Sequence, residues 1–183
     1  MLMRTTGRYL LGIVLVAALG CKSHPELSKT NSEGSSEWKR FGGQSQLTTF
    51  AIAAGNRIDT PAGEKYSVLT VACDAYSPSF SALLTTSIDP ESGDIGMGFD
   101  DAELAKEKWE PKTKDFKGRP VHYMEVPDSD LPGFVRQLRK SNTFQFEFTP
   151  KGGKPQRSRF KLLNINTLLD QEQNCKPGLA HLQ

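Results

Sequence analysis

Short runs in which apolar and polar side chains alternate are the feature that most limits the folds open to this chain. The segment 144–148, FQFEF, places three aromatic side chains on one face of an extended strand. The segment 66–73, YSVLTVAC, is rich in β-branched residues and puts Leu69, Val71 and Cys73 on one face. A period of two is typical of strands that bury one face. The sequence therefore predicts a β-rich domain with these side chains inside.

Similar runs, bounded by turn-forming residues, predict the remaining strands. We expect them at 46–53, 80–86, 95–99, 119–126, 142–149 and 157–163. The strands at 66–73, 80–86 and 95–99 follow one another closely, with a turn predicted at 89–94, so we expect a meander of antiparallel strands. The last two strands flank the turn 150–155, PKGGKP, which predicts a hairpin.

Helical signals are fewer than strand signals. Asp130 precedes Leu131 and Pro132, the order of an N-cap and an early proline, and apolar residues recur at helical spacing up to residue 140. A second short helix is predicted at 166–173, whereas the charged segment 101–108 is either a short helix or a solvated excursion. The sequence thus predicts an α+β fold, mainly antiparallel β-sheet with one or two short helices packed on it, as a single domain over 38–183.

The first twenty residues have the pattern of an export signal. Arg4 and Arg8 precede an apolar run from Tyr9 to Leu19, and small residues precede Cys21. A basic start followed by about ten apolar residues is typical of a secretory signal and is too short for a membrane-spanning helix. We therefore assign residues 1–20 to a signal peptide.

The segment 18–21, ALGC, resembles the lipobox of bacterial lipoproteins. The resemblance implies acylation of the Cys21 thiol, cleavage before Cys21 and acylation of the new amine. One position departs from the family pattern, because Ala18 stands where a bulky aliphatic residue is usual. An ordinary signal peptide with a coincidental cysteine is the alternative. Lys22 is not the aspartate associated with inner-membrane retention in enteric bacteria, so the resemblance implies an anchor in the outer membrane, facing the periplasm.

The segment that follows Cys21 predicts a flexible tether. Residues 22–37 are rich in Ser, Lys and Glu and contain Leu27 as their single aliphatic residue, so they cannot form a core. A flexible stretch of this length has a typical span near 20 Å, roughly half the thickness of a bilayer. We therefore expect residues 21–37 to hold the folded domain just off a membrane surface in the bacterial cell envelope.

Charge and motifs exclude several classes of partner and cofactor. Arg4 and Arg8 are two of the 23 basic residues, so a chain without the signal has 21 basic and 21 acidic side chains. Nucleic-acid binding depends on clustered cations that release counterions, and this balanced sequence has no such cluster. It also has no Walker A loop, dinucleotide fingerprint or HExxH helix. We expect no nucleic-acid partner and no cofactor.

Two cysteines remain once Cys21 is assigned to the lipid anchor. In an oxidising compartment, Cys73 and Cys175 are expected to form one disulfide. Closing a loop of about 100 residues removes denatured-state entropy worth roughly 4–5 kcal/mol in the chain-entropy model. Two buried free thiols are the alternative for a chain that is not exported. Metal binding by the pair is disfavoured, because no CxxC motif or nearby histidine accompanies either cysteine.

A catalytic site has one candidate centre, His122. His24 lies in the tether and His181 in the C-terminal tail, so neither is expected to be held rigidly, and no GxSxG motif is present. An enzyme would combine His122 with carboxylates between residues 89 and 101. The alternation of His122 with apolar neighbours favours a surface or cross-strand histidine instead.

Acidic residues crowd the segment that precedes and follows the 95–99 strand. Asp89, Glu91 and Asp94 lie in one predicted turn, and Asp100 and Asp101 follow the strand. Carboxylate oxygens are calcium ligands, but this spacing matches no calcium loop. A soluble turn is the interpretation we favour, and we assign no metal ligand.

Trp38 and Trp109 are candidate partner-binding residues. Tryptophan is enriched in the hot spots of protein interfaces, although in a small domain it more often packs in the core. The phenylalanines of 144–148 have the same ambiguity, and the predicted helix beside them in sequence favours the core.

The order of elements between residues 66 and 175 resembles the type VI secretion-associated TagO/VasI-type periplasmic proteins. The features are a strand ending in cysteine (LTVAC), a strand ending in Phe99-Asp100, Trp109, the helix PGFVRQLRKS, the strand FQFEF, the segment FKLL, a short helix and Cys175. The resemblance implies a non-enzymatic envelope accessory with two bridged cysteines. Gly98 replaces the arginine that usually precedes the family's Phe-Asp pair, so no site built on that arginine transfers.

The sequence therefore predicts a lipid-anchored envelope protein with a non-enzymatic binding or structural role. It implies an envelope protein partner and an association with a secretion apparatus. The alternative is a periplasmic hydrolase or metal-binding enzyme that uses His122 with nearby carboxylates.

Overall fold

The structure of the chain, a computed structural model, describes residues 37–42, 47–57, 66–86 and 88–182. The predicted signal peptide, Cys21 and residues 22–36 of the predicted tether lie outside these ranges. In the described part of the chain, no helix combines the length and the apolar character needed to cross a bilayer.

The fold is α+β, as predicted, with two antiparallel sheets and short helices. In chain order the strands are β1 (Lys39–Gly42), β2 (Leu47–Ala53), β3 (Val68–Asp74), β4 (Ser77–Thr85), β5 (Pro90–Phe99), β6 (Ala105–Lys108), β7 (Glu110–Phe116), β8 (Arg119–Glu125), β9 (Thr143–Pro150) and β10 (Gln156–Lys161). The six-stranded sheet has the order β1-β2-β3-β4-β8-β7, and the four-stranded sheet has the order β10-β9-β5-β6. The helices are α1 (Leu131–Lys140), α2 (Ile165–Gln171) and α3 (Lys176–Ala180), with a 3-10 turn (Gln173–Cys175) before α3.

Both sheets bury one face in a shared core. The three phenylalanines of β9 are at most 2% exposed, and Leu69, Val71 and Cys73 of β3 are at most 1% exposed. The predictions that these side chains lie inside are therefore confirmed. Helix α1 packs on the same core through Phe134, whose ring centroid lies 5.4 Å from that of Phe144. The apolar residues of α1 recur at helical spacing, so they share one face of the helix. This face packs against the three phenylalanines of β9.

The predicted meander is wrong at its third strand. Strand β4 lies between β3 and β8, and β5 belongs to the other sheet, where it pairs with β9. In that register Ile95, Met97 and Phe99 lie opposite the phenylalanines of β9. Because β5 and β9 both present an apolar face with a period of two, their pairing buries both faces at once, whereas sequence proximity to β4 provides no comparable match.

The predicted turn at 89–94 and the two interpretations of 101–108 also need correction. Strand β5 begins at Pro90, and its register with β9 shifts between Pro90 and Ile95, so these residues form an irregular stretch of strand. Residues Ala105–Lys108 form β6, which pairs with β5, because the backbone of β5 offers a free edge at that point. The charged side chains of β6 remain mostly exposed, which is compatible with an edge strand.

Candidate functional site

Cys21 lies outside the described residues, and its lipidation stays a prediction. Trp38, at the start of the described domain, is partly buried and packs against the core. Its indole N–H is buried and has no hydrogen-bond partner among the described residues. Core packing therefore covers part of the Trp38 side chain, and its role in partner binding stays a prediction.

Trp109 lies inside the core. It is 2% exposed, and its ring centroid is 5.7 Å from that of Phe134 and 5.5 Å from that of Phe146. A side chain enclosed by these aromatic rings has no surface left for a partner. Its burial corrects the partner-binding interpretation of Trp109 in favour of core packing.

Cys73 and Cys175 come together in the structure as a disulfide. Strand β3 presents Cys73 to the core, and the 3-10 turn before α3 places Cys175 opposite, with the two Cα atoms 5.0 Å apart. Both residues are at most 1% exposed. This is the pair expected from the sequence, and its oxidised state in the cell stays a prediction.

His122 on β8 meets one of the predicted carboxylates. Its Nδ1 lies 3.5 Å from an Asp89 carboxylate oxygen and 3.0 Å from the Thr113 hydroxyl. The His122 side chain is 18% exposed and that of Asp89 is 47% exposed. Lys151 Nζ approaches the other Asp89 oxygen at 3.9 Å. The structure thus places a histidine, a hydroxyl and a carboxylate within reach of one another at the surface.

This arrangement differs from a catalytic relay in one decisive respect. A histidine that passes a proton needs the nucleophile at one ring nitrogen and the orienting acid at the other. Here the Thr113 hydroxyl and the Asp89 carboxylate both lie at Nδ1, so they compete for one nitrogen. The arrangement serves to fasten the connection between β4 and β5 to the β7–β8 hairpin.

The acidic residues near β5 do not converge. Asp100 has a positive φ of 53°, and its carboxylate accepts hydrogen bonds from the backbone N–H groups of Asn142 and Thr143 at 2.8 and 3.1 Å. Asp101 is 98% exposed in its side chain. Over the described ranges, no group of three or more His, Cys, Asp or Glu side chains is placed to hold a metal ion. Asp100 instead holds the loop after β5 to the start of β9.

An open groove of about 430 Å³ lies on the outer face of the four-stranded sheet. Its lining consists of Asp101, Ala102, Glu103 and Leu104 from the β5–β6 loop, Gln145 and Glu147 from β9, and Arg157 from β10. The loop residues are more than forty positions away in the sequence from those of β9 and β10. The sequence analysis therefore missed the groove as a site.

Two glycines of β5 make room for the loop that forms one wall of the groove. A Cβ at position 96 would lie 3.3 Å from Leu104, and a Cβ at position 98 would lie 3.2 Å from the same side chain. Side chains at positions 96 and 98 would make contacts with Leu104 that are tighter than ordinary packing. Leu104 can therefore lie close to β5 because both positions are glycines. The alternation of Gly96 and Gly98 with the apolar residues of β5 is the signal in the sequence from which this close approach could have been inferred.

The groove carries more negative than positive charge. Three lining residues are acidic, Asp101, Glu103 and Glu147, and one is basic, Arg157. The Nε and Nη2 of Arg157 both donate to the same oxygen of Glu147 at 3.0 and 2.9 Å, and Arg159 lies 3.6 Å from Asp101. Leu104 adds an apolar surface to the lining. Chemically, this is a surface for a polar or cationic group of a partner, with a small apolar contact beneath it.

No family model, curated protein or solved structure matches this chain. The similarity to TagO/VasI-type proteins therefore stays an expectation from the sequence pattern. The groove and the other surfaces have to be judged on their own geometry.

A second charged cluster surrounds Tyr123 on β8. Glu125 accepts a hydrogen bond of 2.6 Å from Lys112, and this bond, supported by Glu110, raises the pKa of Lys112 above its usual 10.5. Burial raises the pKa of Tyr123 above 10.0. At neutral pH Lys112 is therefore charged and Tyr123 is neutral.

Proposed function

We propose that this chain is a lipid-anchored protein of the bacterial cell envelope, and that its folded domain acts by binding a protein partner rather than by catalysis. The anchor is Cys21, and the partner is an envelope protein associated with a secretion apparatus. The sequence from Arg4 to Cys21 carries the proposal, because a basic start, an apolar run and a cysteine after small residues fit one export route.

The paired cysteines support the envelope location. Cys73 and Cys175 lie within disulfide distance in the core, and disulfides persist in oxidising compartments such as the periplasm. Export to such a compartment would let this pair form its disulfide and keep it.

The surface supports binding over catalysis. The groove is open and combines unevenly distributed charge with one apolar side chain, whereas His122 has its hydroxyl and carboxylate neighbours at a single nitrogen. A groove that gathers charge without a proton relay suits recognition of a partner. We assign this role to the groove and place the partner's contact at Glu103 and Leu104.

The anchor is tested by replacing Cys21. We expect the wild-type protein to fractionate with membranes and its N-terminal peptide to carry the mass of acyl chains. The Cys21→Ala protein is expected to lose both properties. Cys175→Ala removes a cysteine elsewhere and is expected to keep the acyl mass. A wild-type protein that retains an intact leader in the cytosol would contradict the proposal.

The groove is tested by reversing one charge. Glu103→Lys changes a groove residue, and Glu91→Lys makes the same change at an exposed position outside the groove lining. Both proteins are used as anchored baits, and bound envelope proteins are cross-linked and identified by mass spectrometry. We expect a partner that Glu91→Lys retains and Glu103→Lys loses. Equal recovery of every partner by both variants would remove the groove from the proposal.

A further inference from the structure

The C-terminal segment 170–178 contacts five different elements in order. Asp170 accepts a hydrogen bond of 2.7 Å from Arg139 of α1. Beyond it the partners lie on successive strands of the six-stranded sheet. Glu172 pairs with Arg40 of β1, Asn174 donates to Thr48 of β2, Cys175 joins Cys73 of β3, and Gly178 lies against Phe80 of β4. We call residues 170–178 the strap.

The strap crosses one end of the sheet. Neighbouring strands lie about 4.8 Å apart, so the distance from β1 to β4 is about 14 Å. A short helical segment of seven residues covers a comparable distance at about 1.5–2 Å per residue. The geometry therefore lets each step along the strap meet the next strand of the sheet.

Strand β1 depends on the strap more than its neighbours do. It has four residues and pairs within the sheet with β2 alone. Its Arg40 donates to Glu172 with Nε at 2.7 Å and Nη2 at 2.6 Å, and the Glu172 side chain is 12% exposed. This two-pronged contact fastens β1 to the strap at the point where the predicted tether joins the domain.

The strap is held tightly at its other end. A Cβ at Gly178 would lie 2.6 Å from the ring of Phe80, so α3 lies directly on β4. Cys73 and Cys175 are at most 1% exposed. The disulfide lies between this packed end and the Arg40 contact, so it is placed to fix the position of Glu172, three residues before Cys175.

We propose that the strap is a redox-dependent lock, in which the Cys73–Cys175 bond keeps β1 on the sheet and its reduction releases the strap and β1 together. Closing the lock removes one proton and one electron from each thiol and forms the Sγ–Sγ bond. The two electrons and two protons pass to the disulfide of an envelope thiol–disulfide oxidoreductase, which becomes a dithiol. Opening is the reverse exchange, in which the dithiol form of such an oxidoreductase supplies two electrons and two protons and becomes a disulfide. In the dithiol form, only non-covalent contacts hold the strap.

Hydrogen exchange of the native protein tests the lock. Exchange is compared in three forms of the exported protein in detergent. These are the oxidised wild type, the wild type reduced by a phosphine, and the Cys73→Ala/Cys175→Ala variant. On reduction we expect exchange at least about tenfold faster in residues 172–178 and about two- to fivefold faster in residues 39–42. At labelling times shorter than those of global unfolding of the reduced protein, strand β9, which the strap does not touch among the contacts above, is expected to stay protected.

Two arginine variants distinguish a specific release of β1 from a general loss of protection against exchange. Arg40→Gln removes the contact between β1 and the strap, so the oxidised variant is expected to exchange at 39–42 as fast as the reduced wild type. Arg139→Gln makes the same change at the α1 end of the strap and is expected to leave 39–42 unchanged. Equal exchange at 39–42 in oxidised and reduced protein, or loss of protection in β9 at these short labelling times, would overturn the proposal.

Discussion

Trp109 illustrates how single residues set the path of this chain. Its ring is enclosed by the aromatic side chains of α1 and β9, and its backbone N–H donates to the carbonyl of Gly93 at 2.8 Å. Trp109 stands between β6, which belongs to the four-stranded sheet, and β7, which belongs to the six-stranded sheet. The buried ring therefore fixes the corner at which the chain passes from one sheet to the other.

The raised pKa of Lys112 predicts a loss of stability at alkaline pH. The hydrogen bond with Glu125 favours the charged form in the folded state, so the pKa of Lys112 is higher in the folded state than in the unfolded chain. This contribution is complete below about pH 10.5 and is lost as pH rises through the folded pKa. We expect Lys112→Gln to show a shallower fall in the free energy of unfolding above about pH 10 in urea titrations.

Lys106→Gln is the matched control for this prediction. Lys106 is an exposed lysine on β6, so the same substitution there is expected to leave the alkaline slope as in the wild type. The buried Tyr123 loses its proton in a similar range and contributes a slope of the same sign in all three proteins. Identical slopes for Lys112→Gln and the wild type would contradict the role given to the Glu125 hydrogen bond.

At the scale of elements, β5 joins three parts of the structure. It pairs with β9 along one edge and with β6 along the other, and its glycines make room for Leu104. A Cβ at Gly93 would collide with the backbone carbonyl of Trp109 and lie 3.3 Å from Pro111. Position 93, in the irregular start of β5, therefore tolerates no side chain.

Gly93→Ala is expected to destabilise the domain by about 1–3 kcal/mol, the usual range for an added methyl group in a packed region. The new methyl group has to push β5 away from the corner at Trp109. Gly133→Ala is the matched control, because a Cβ at that position in α1 meets nothing within 4 Å. Since alanine favours a helix over glycine, we expect this control to stabilise by up to about 1 kcal/mol. Urea unfolding measures both, and equal stability of the two variants would contradict the steric argument.

Local signals in the sequence were sufficient for some elements and not for others. Helix α1 was predictable because Asp130, Pro132 and the apolar spacing all lie within twelve residues. The three phenylalanines of β9 identified their own buried face in the same way. A period of two shows which side chains share a face, but it does not specify the neighbouring strand, so the partner of β5 was assigned wrongly. The groove was missed because it forms only when Leu104 folds back over β5 and faces residues of β9 and β10.

At the scale of the whole molecule, the two sheets meet at both sides. On one side the chain passes through Trp109 from β6 to β7. On the other side the chain after β2 runs along the edge of β10, where the Gly55 N–H donates to the Arg159 carbonyl at 2.7 Å and the Asn56 side chain pairs with the backbone of β10. The edge of β10 is thereby covered, which removes a strand edge on which other chains could pair.

The disulfide connects this assembly to the C-terminal helices, and its removal gives a prediction for the whole domain. Cys73 and Cys175 are 102 residues apart, so reduction restores the freedom of a long loop in the unfolded chain. We expect the Cys73→Ala/Cys175→Ala variant to lose about 4–5 kcal/mol in urea unfolding. Reduced wild-type protein lacks the bond but keeps both cysteine side chains, so it loses no side-chain volume. A similar loss in that protein attributes the effect to chain entropy, whereas full stability of the reduced protein would assign any loss in the variant to the cavity left by the thiols.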